Sequence, residues 1–157
     1  MFRFCLVLVT LVLGHALLAQ QSGFTGTPIT QHAKTTGLDT EFKTYHLFEI
    51  DSRALDNFVK QNSKEISFSL QLGTTFNWNI QLFPHDIRTA DYQLQVATEN
   101  GIVKLPRGEN KTFRGHFANA AGEVRLTLDE GFINGYFQKG KDRYFIELAN
   151  RFDPELA

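Results

Sequence analysis

Four histidines, His32, His46, His85 and His116, are the side chains in the body of this chain best suited to metal binding or acid–base chemistry. None lies in a His-Glu-x-x-His motif, and no two have the helical spacing of zinc ligands. His85 precedes Asp86, but a catalytic pair also needs a nucleophile, and the sequence has no Gly-x-Ser-x-Gly elbow and no reactive cysteine. The sequence therefore predicts no catalytic residue and no metal ligand.

The acidic side chains are scattered along the chain, at Glu49, Asp51, Asp56, Glu99, Glu123, Asp129 and Glu147. Two of them facing each other across a sheet could serve as glycosidase carboxylates, whereas a solvated protein face explains their scatter without chemistry. No glycine-rich phosphate loop is present, and no cofactor is indicated. Asn110-Lys111-Thr112 is a glycosylation sequon. We interpret the chain as non-enzymatic, with no binding residues assigned by sequence alone.

The first nineteen residues are typical of a secretory signal peptide. Arg3 precedes an apolar run from Phe4 to Leu13, and Ala19 is a small residue suited to cleavage. A membrane anchor or a buried helix is the alternative, but the apolar segment is short for a span of about 20 residues. We expect cleavage after Ala19 and a secreted, periplasmic or extracellular protein that makes no membrane contact once the signal is removed.

The composition is typical of a globular domain without disulfides. Cleavage after Ala19 would remove Cys5, the only cysteine, and such a chain is more typical of exported bacterial proteins than of small animal secreted domains. A length of 157 residues with 42% hydrophobic and 21% charged residues fits one domain. The net charge of −1 offers no electrostatic reason for binding nucleic acid.

Alternation of apolar and polar residues predicts antiparallel strands. It is clearest in 66–72 and 76–82, which Gly73-Thr74-Thr75 joins as a hairpin, and it places Trp78 in the core. Residues 112–148 contain four short apolar runs separated by turn residues, which is typical of a β-meander. Further strands are expected at 42–50, 92–96 and 102–105, with Asn100-Gly101 as the turn between the last two.

A single helix is expected at 52–60, where Asp51-Ser52 offers an N-cap and Leu55, Phe58 and Val59 form one stripe. We therefore predict an all-β protein, an antiparallel β-sandwich or flattened barrel of about eight strands with one short helix. The chain divides into a signal peptide (1–19), a polar N-terminal arm (20–40), an antiparallel β module (41–149) and an extended tail (150–157).

Trp78 to Asp86, WNIQLFPHD, resembles the W-x-L-x-L-x-P strand and its exit in the propeptide domain of reprolysin, or adamalysin-type, secreted zinc metalloproteases. Residues 112–147 contain TFRGHF, EVRLTL, Gly131, Gly135-Tyr136 and YFIE. This order is similar to the family pattern Y-x-G-x-V, S-x-V-x-L-S, G-L-x-G-x-I and Y-x-I-E. The likeness extends over about Phe42 to Leu148.

The resemblance implies a prodomain that assists folding of a metalloprotease catalytic domain, in cis or in trans, or keeps it latent. The family's His-Glu-x-x-His motif does not occur in these 157 residues, and the thiol with which many members cap zinc is lacking after removal of Cys5. Latency would then be steric, or would use a carboxylate or an imidazole. The alternative is a stand-alone β-sandwich binding or adhesion module of the bacterial envelope.

Overall fold

A computed structural model describes residues 22–29, 36–62 and 64–156 of the chain. The predicted signal peptide with its cleavage at Ala19 lies outside these residues, as does His32. No helix within the described ranges combines the length and the apolar character needed to cross a membrane.

The described residues form ten strands, two α-helices and two 3-10 turns. The strands are β1 (Ser22–Pro28), β2 (Phe48–Ile50), β3 (Ile66–Leu72), β4 (Phe76–Pro84), β5 (Leu94–Thr98), β6 (Gly101–Leu105), β7 (Thr112–Phe117), β8 (Gly122–Asp129), β9 (Phe132–Lys139) and β10 (Asp142–Ile146). The helices are α1 (Thr36–Glu41) and α2 (Ser52–Gln61), and the 3-10 turns are Ala149–Arg151 and Pro154–Leu156. Eight strands form one sheet in the order β10-β9-β8-β7-β4-β3-β1-β2, and β5 and β6 form a separate hairpin.

The eight-stranded sheet is strongly curled into a half-barrel. The rings of Trp78 on β4 and Tyr144 on β10 lie 5.7 Å apart, although three strands stand between β4 and β10. In a flat sheet, strands spaced about 4.8 Å apart would place these rings about 19 Å from each other. The curl depends on glycine, because a Cβ at Gly115 or Gly135 would lie 1.9 Å from the carbonyl oxygen of the neighbouring strand.

The concave face of this sheet is the core. Every second residue of the central strands is buried there: Ile66, Phe68, Leu70, Leu72, Trp78, Ile80, Leu82, Phe113, Phe117, Val124, Leu126, Leu128, Ile133 and Phe137. Trp78 is only 7% exposed, and its ring centroid lies 4.4 Å from that of Phe137. This burial confirms the predicted core position of Trp78. The intervening polar residues cover the convex face.

Helix α2 packs into the concave side of the half-barrel. Leu55 and Val59 are buried, and the ring of Phe58 packs against those of Phe24 and Phe68. The Asp51 carboxylate accepts a hydrogen bond from the Ala54 amide at 2.8 Å, which is an N-cap. The helix predicted at 52–60 is confirmed and ends one residue later.

The mainly β fold is confirmed, but four details of the prediction were wrong. The sheet is mixed, because β1 pairs parallel with β3. Residues 22–28, which the sequence predicts to be part of a polar arm, form this strand, since backbone pairing holds β1 while Phe24 alone packs against the core. Only residues 48–50 of the predicted 42–50 strand form β2, and the β5–β6 turn is Glu99-Asn100, one residue earlier than predicted.

The segment around α1 packs against the C-terminal 3-10 turns. Phe42, directly after α1, lies 4.8 Å from Phe152 between ring centroids. Gly37 of α1 lies so close to the Phe152 carbonyl that a Cβ would reach 1.9 Å from its oxygen. Asp153 is buried, and its carboxylate accepts a hydrogen bond from the Glu155 amide. The expectations of a single helix and an extended tail were therefore wrong, since apolar contacts fold both segments onto each other.

Candidate binding surfaces

The histidines are dispersed over the structure. His46 lies among the aromatic rings near β2, His85 follows β4, and His116 lies on the convex face with its ring stacked 6.1 Å from that of Phe83. Within the described ranges, no three histidine, cysteine, aspartate or glutamate side chains come together as a metal site would require. The acidic residues are similarly spread over separate elements.

The Asp86 carboxylate is bound by two arginines. Arg88 donates to it through Nε at 2.8 Å and Nη2 at 2.9 Å, and Arg107 donates through Nη2 at 3.0 Å. The hydrogen bonds from Arg88, followed by those from Arg107, hold the pKa of Asp86 well below its ordinary value. Asp86 is therefore an ionised structural group, and its hydrogen bonds in the described structure go to arginines instead of to His85.

The same cluster fixes the base of the β5–β6 hairpin. Arg88 donates through Nη1 to the Gly108 carbonyl at 2.9 Å, and Arg107 donates through Nη1 to the Thr89 carbonyl at 2.9 Å. Both guanidinium groups also lie over the ring of Tyr92, at 5.6 and 5.8 Å from its centroid. The segment that enters the hairpin is thus tied to the segment that leaves it.

Exposed apolar side chains are concentrated on this hairpin and its base. Of nine exposed large hydrophobic residues in the described ranges, seven lie between positions 87 and 105: Ile87, Tyr92, Leu94, Val96, Ile102, Val103 and Leu105. Leu94 pairs with Leu105 and Val96 with Val103, so these four side chains share one face, which we name the apolar hairpin face. Each is 39–46% exposed. Contiguous apolar surface of this kind marks sites of protein contact.

A second surface crosses the convex face of the large sheet. Five adjacent strands place one residue each in a single row: Phe83, Arg114, Arg125, Tyr136 and Phe145. We name it the aromatic–arginine row. Phe145 is 66% exposed, and the guanidinium of Arg143 lies 4.9 Å from the centroid of the Tyr136 ring.

The two arginines of the row differ in whether a neighbouring carboxylate neutralises their charge. Arg125 donates through Nε to Glu123 at 2.6 Å, and the Tyr136 hydroxyl donates to the other oxygen of Glu123 at 3.0 Å. These hydrogen bonds, that of Arg125 first, lower the pKa of Glu123 below its ordinary value. Arg114, the neighbour of Arg125 across the β7–β8 ladder, has no hydrogen-bond or ion-pair partner in the described part of the chain.

A groove of about 250 Å³ adjoins the row and opens to solvent. It lies between the segment after β4 and strands β7 to β9, and it is lined by His85, Ile87, Thr112, Phe113, Arg125, Leu126, Thr127, Asn134 and Gly135. No carboxylate is among these lining residues. The groove thus combines an arginine, hydroxyl and amide groups, and an apolar wall.

The sequence alone predicts no residue of either surface. The alternation does predict that Arg125, Tyr136 and Phe145 point away from the core, and an outward phenylalanine is the signal that could have drawn attention to this face. The row itself depends on β4 pairing with β7 across the intervening hairpin, and local patterns do not specify such long-range pairing.

No protein-family model, no curated protein and no solved structure matches this chain, so its function has to be inferred from these two surfaces.

Proposed function

We propose that this chain is a non-catalytic, exported binding module that contacts the catalytic domain of a reprolysin-like zinc metalloprotease through the apolar hairpin face. The concentration of exposed apolar residues on a hairpin with a fixed base carries this proposal. The partner class is supported by the resemblance of residues 78–86 and 112–147 to reprolysin propeptides. In this role the module assists folding of the protease or keeps it latent.

The hairpin has the physical properties of a prepared binding element. Two strands alone are only marginally stable in water, so the arginine–aspartate base must hold the hairpin in place. A segment that is already ordered loses less conformational entropy when it binds. Removing the remaining exposed area of each aliphatic side chain from water would contribute roughly 1 kcal/mol per residue.

Binding through the apolar hairpin face would affect the protease by steric blocking. The described residues contain no cysteine, so zinc capping by a thiol is not available to them. A hairpin that protrudes from a rigid sheet can cover the rim of a substrate cleft or shield apolar surface of a folding intermediate. A binding or adhesion module of the bacterial envelope would use the same face on another protein, and the experiment below separates the two functions.

The test is co-purification of the chain with reprolysin-type catalytic domains encoded in the same genome, followed by titration calorimetry. Val103→Lys places a charge on the apolar hairpin face and should weaken binding by at least about tenfold, or about 1.4 kcal/mol. Gln95→Lys adds the same charge to the opposite face and should change affinity by less than about twofold.

Both variants should keep the melting temperature of the parent chain, because both positions are exposed. Equal weakening by the two variants would argue against the apolar hairpin face as the contact. Failure of the parent chain to bind any of these catalytic domains would refute the protease as partner and favour the envelope alternative.

A further inference from the structure

Three guanidinium groups lie on the convex face of β7 to β10, at Arg114, Arg125 and Arg143. Within these four strands, the carboxylates on the same face are Glu123, which binds Arg125 and Tyr136, and Asp129, which forms an ion pair with Lys111. On this part of the face arginines therefore outnumber carboxylates, although the chain as a whole carries a net charge of −1.

Arg114 is the group whose charge is least compensated. Directly opposed residues on paired strands have Cβ atoms about 4.5–5.5 Å apart, and like charges at this separation destabilise a sheet. Arg114 and Arg125 are such a pair, and Glu123 neutralises only Arg125. A carboxylate placed between the two guanidinium groups would relieve this repulsion and would receive charge-assisted hydrogen bonds.

The groove beside Arg125 provides a second position for an acidic side chain. Thr127 and Asn134, which line it, have side-chain polar groups without a hydrogen-bond partner in the described ranges. Ile87 lines the same groove and is 72% exposed, so it offers an apolar surface for the methylene groups of a glutamate. A carboxylate on a short aliphatic stem matches this combination of donors and apolar wall.

We propose that the aromatic–arginine row, together with the groove beside Arg125, binds an acidic polypeptide segment, with carboxylates held at Arg114 and Arg125. Tyr136 and Phe145 extend the site toward the sheet edge, and arginine, tyrosine and phenylalanine are the residue types enriched in protein interfaces. The charge of the face selects the acidic partner. The site is separate from the apolar hairpin face and does not depend on the identity of the partner proposed for it.

The test titrates the full chain with an N-acetylated, C-amidated hexaglutamate peptide, with hexaglutamine as the neutral comparison. Arg114→Gln should weaken hexaglutamate binding by at least about tenfold, since a hydrogen bond to a charged group is lost. Lys104→Gln removes the same charge from the hairpin and should change affinity by less than about twofold. Thr127→Val keeps the shape of the groove and should weaken binding by about threefold.

Inorganic phosphate is titrated in parallel and should displace the peptide only at concentrations far above that of the peptide. Equal effects of Arg114→Gln and Lys104→Gln would show attraction by net charge alone and would overturn the proposed site. Absence of hexaglutamate binding to the folded parent chain would overturn it too. Displacement by phosphate at the concentration of the peptide would show a site for small anions, which also contradicts an acidic polypeptide as ligand.

Discussion

The curled sheet and the β5–β6 hairpin are built from strands with similar alternation, but they differ in what covers their apolar face. In the sheet, Ile80 and Val124 are 0% exposed, because the concave face closes around its own side chains and around α2. In the hairpin, Val96 and Val103 are 42% and 46% exposed, although they pair directly across two strands. The alternation of a strand thus indicates which face is apolar, whereas the tertiary arrangement decides whether that face is buried.

Truncating a core side chain should cause the largest loss of stability, and comparing it with an exposed position of the same strand sharpens this contrast. Trp78→Ala removes a buried ring that contacts Phe137 and Tyr144, and it should lower the free energy of unfolding by about 3–5 kcal/mol. Asn77→Ala, at an exposed position of the same strand, should cost less than about 1 kcal/mol. Urea denaturation measures both, and similar losses would contradict the assignment of the two faces of β4.

The curl of the sheet should depend strongly on Gly135. Its φ of 151° and the 1.9 Å approach of the Arg125 carbonyl oxygen to a Cβ leave no room for alanine, so Gly135→Ala should cost about 2–4 kcal/mol. Gly131 has a φ of 72° but open space around it, so Gly131→Ala should cost only about 1–2 kcal/mol. Thermal unfolding of the two variants checks the difference. If the two variants lost equal stability, the close approach of strands that allows the curl would be in doubt.

The base of the hairpin should be sensitive to the charge of Asp86. Because the native pKa of this carboxyl lies below its ordinary value of 3.8, its contribution is present above that value and is lost as pH falls through the native pKa. Hydrogen exchange of residues 94–105 should therefore keep its protection between pH 7 and 5 after correction for intrinsic rates. Asp86→Asn should remove that protection at pH 7 while the amides of β3 and β4 stay protected.

Gln95→Asn, on the hairpin itself, is a control that leaves the base intact and should preserve protection of these amides. If the amides of residues 94–105 exchanged at the same rate in the Asp86→Asn and Gln95→Asn variants, the hydrogen bonds at the base would not be what orders the hairpin.

The contrast between sheet and hairpin also explains which strands and surfaces could be predicted from the sequence. Strands β3, β4, β8 and β9 were predictable because their alternate residues are buried and local patterning records this burial. Strand β1 was not, since its place is decided by backbone pairing to β3 while Gly23 and Gly26 leave few side chains to form a pattern. The aromatic–arginine row was equally hidden, because it depends on the pairing of β4 with β7 over more than twenty-five intervening residues.

Substituting one valine in each region compares the sheet and the hairpin with the same side chain. The loss of stability should be smallest for the valine of the hairpin. Val124→Ala, in the sheet, removes two methyl groups from a fully buried position and should cost about 1–3 kcal/mol. Val103→Ala removes the same groups from a residue that is 46% exposed, and it should cost less than about 1 kcal/mol. Chemical denaturation at several protein concentrations measures both, and the hairpin value should not vary with concentration. A loss at Val103 as large as that at Val124, growing with concentration, would show that a second copy of the chain already covers the apolar hairpin face.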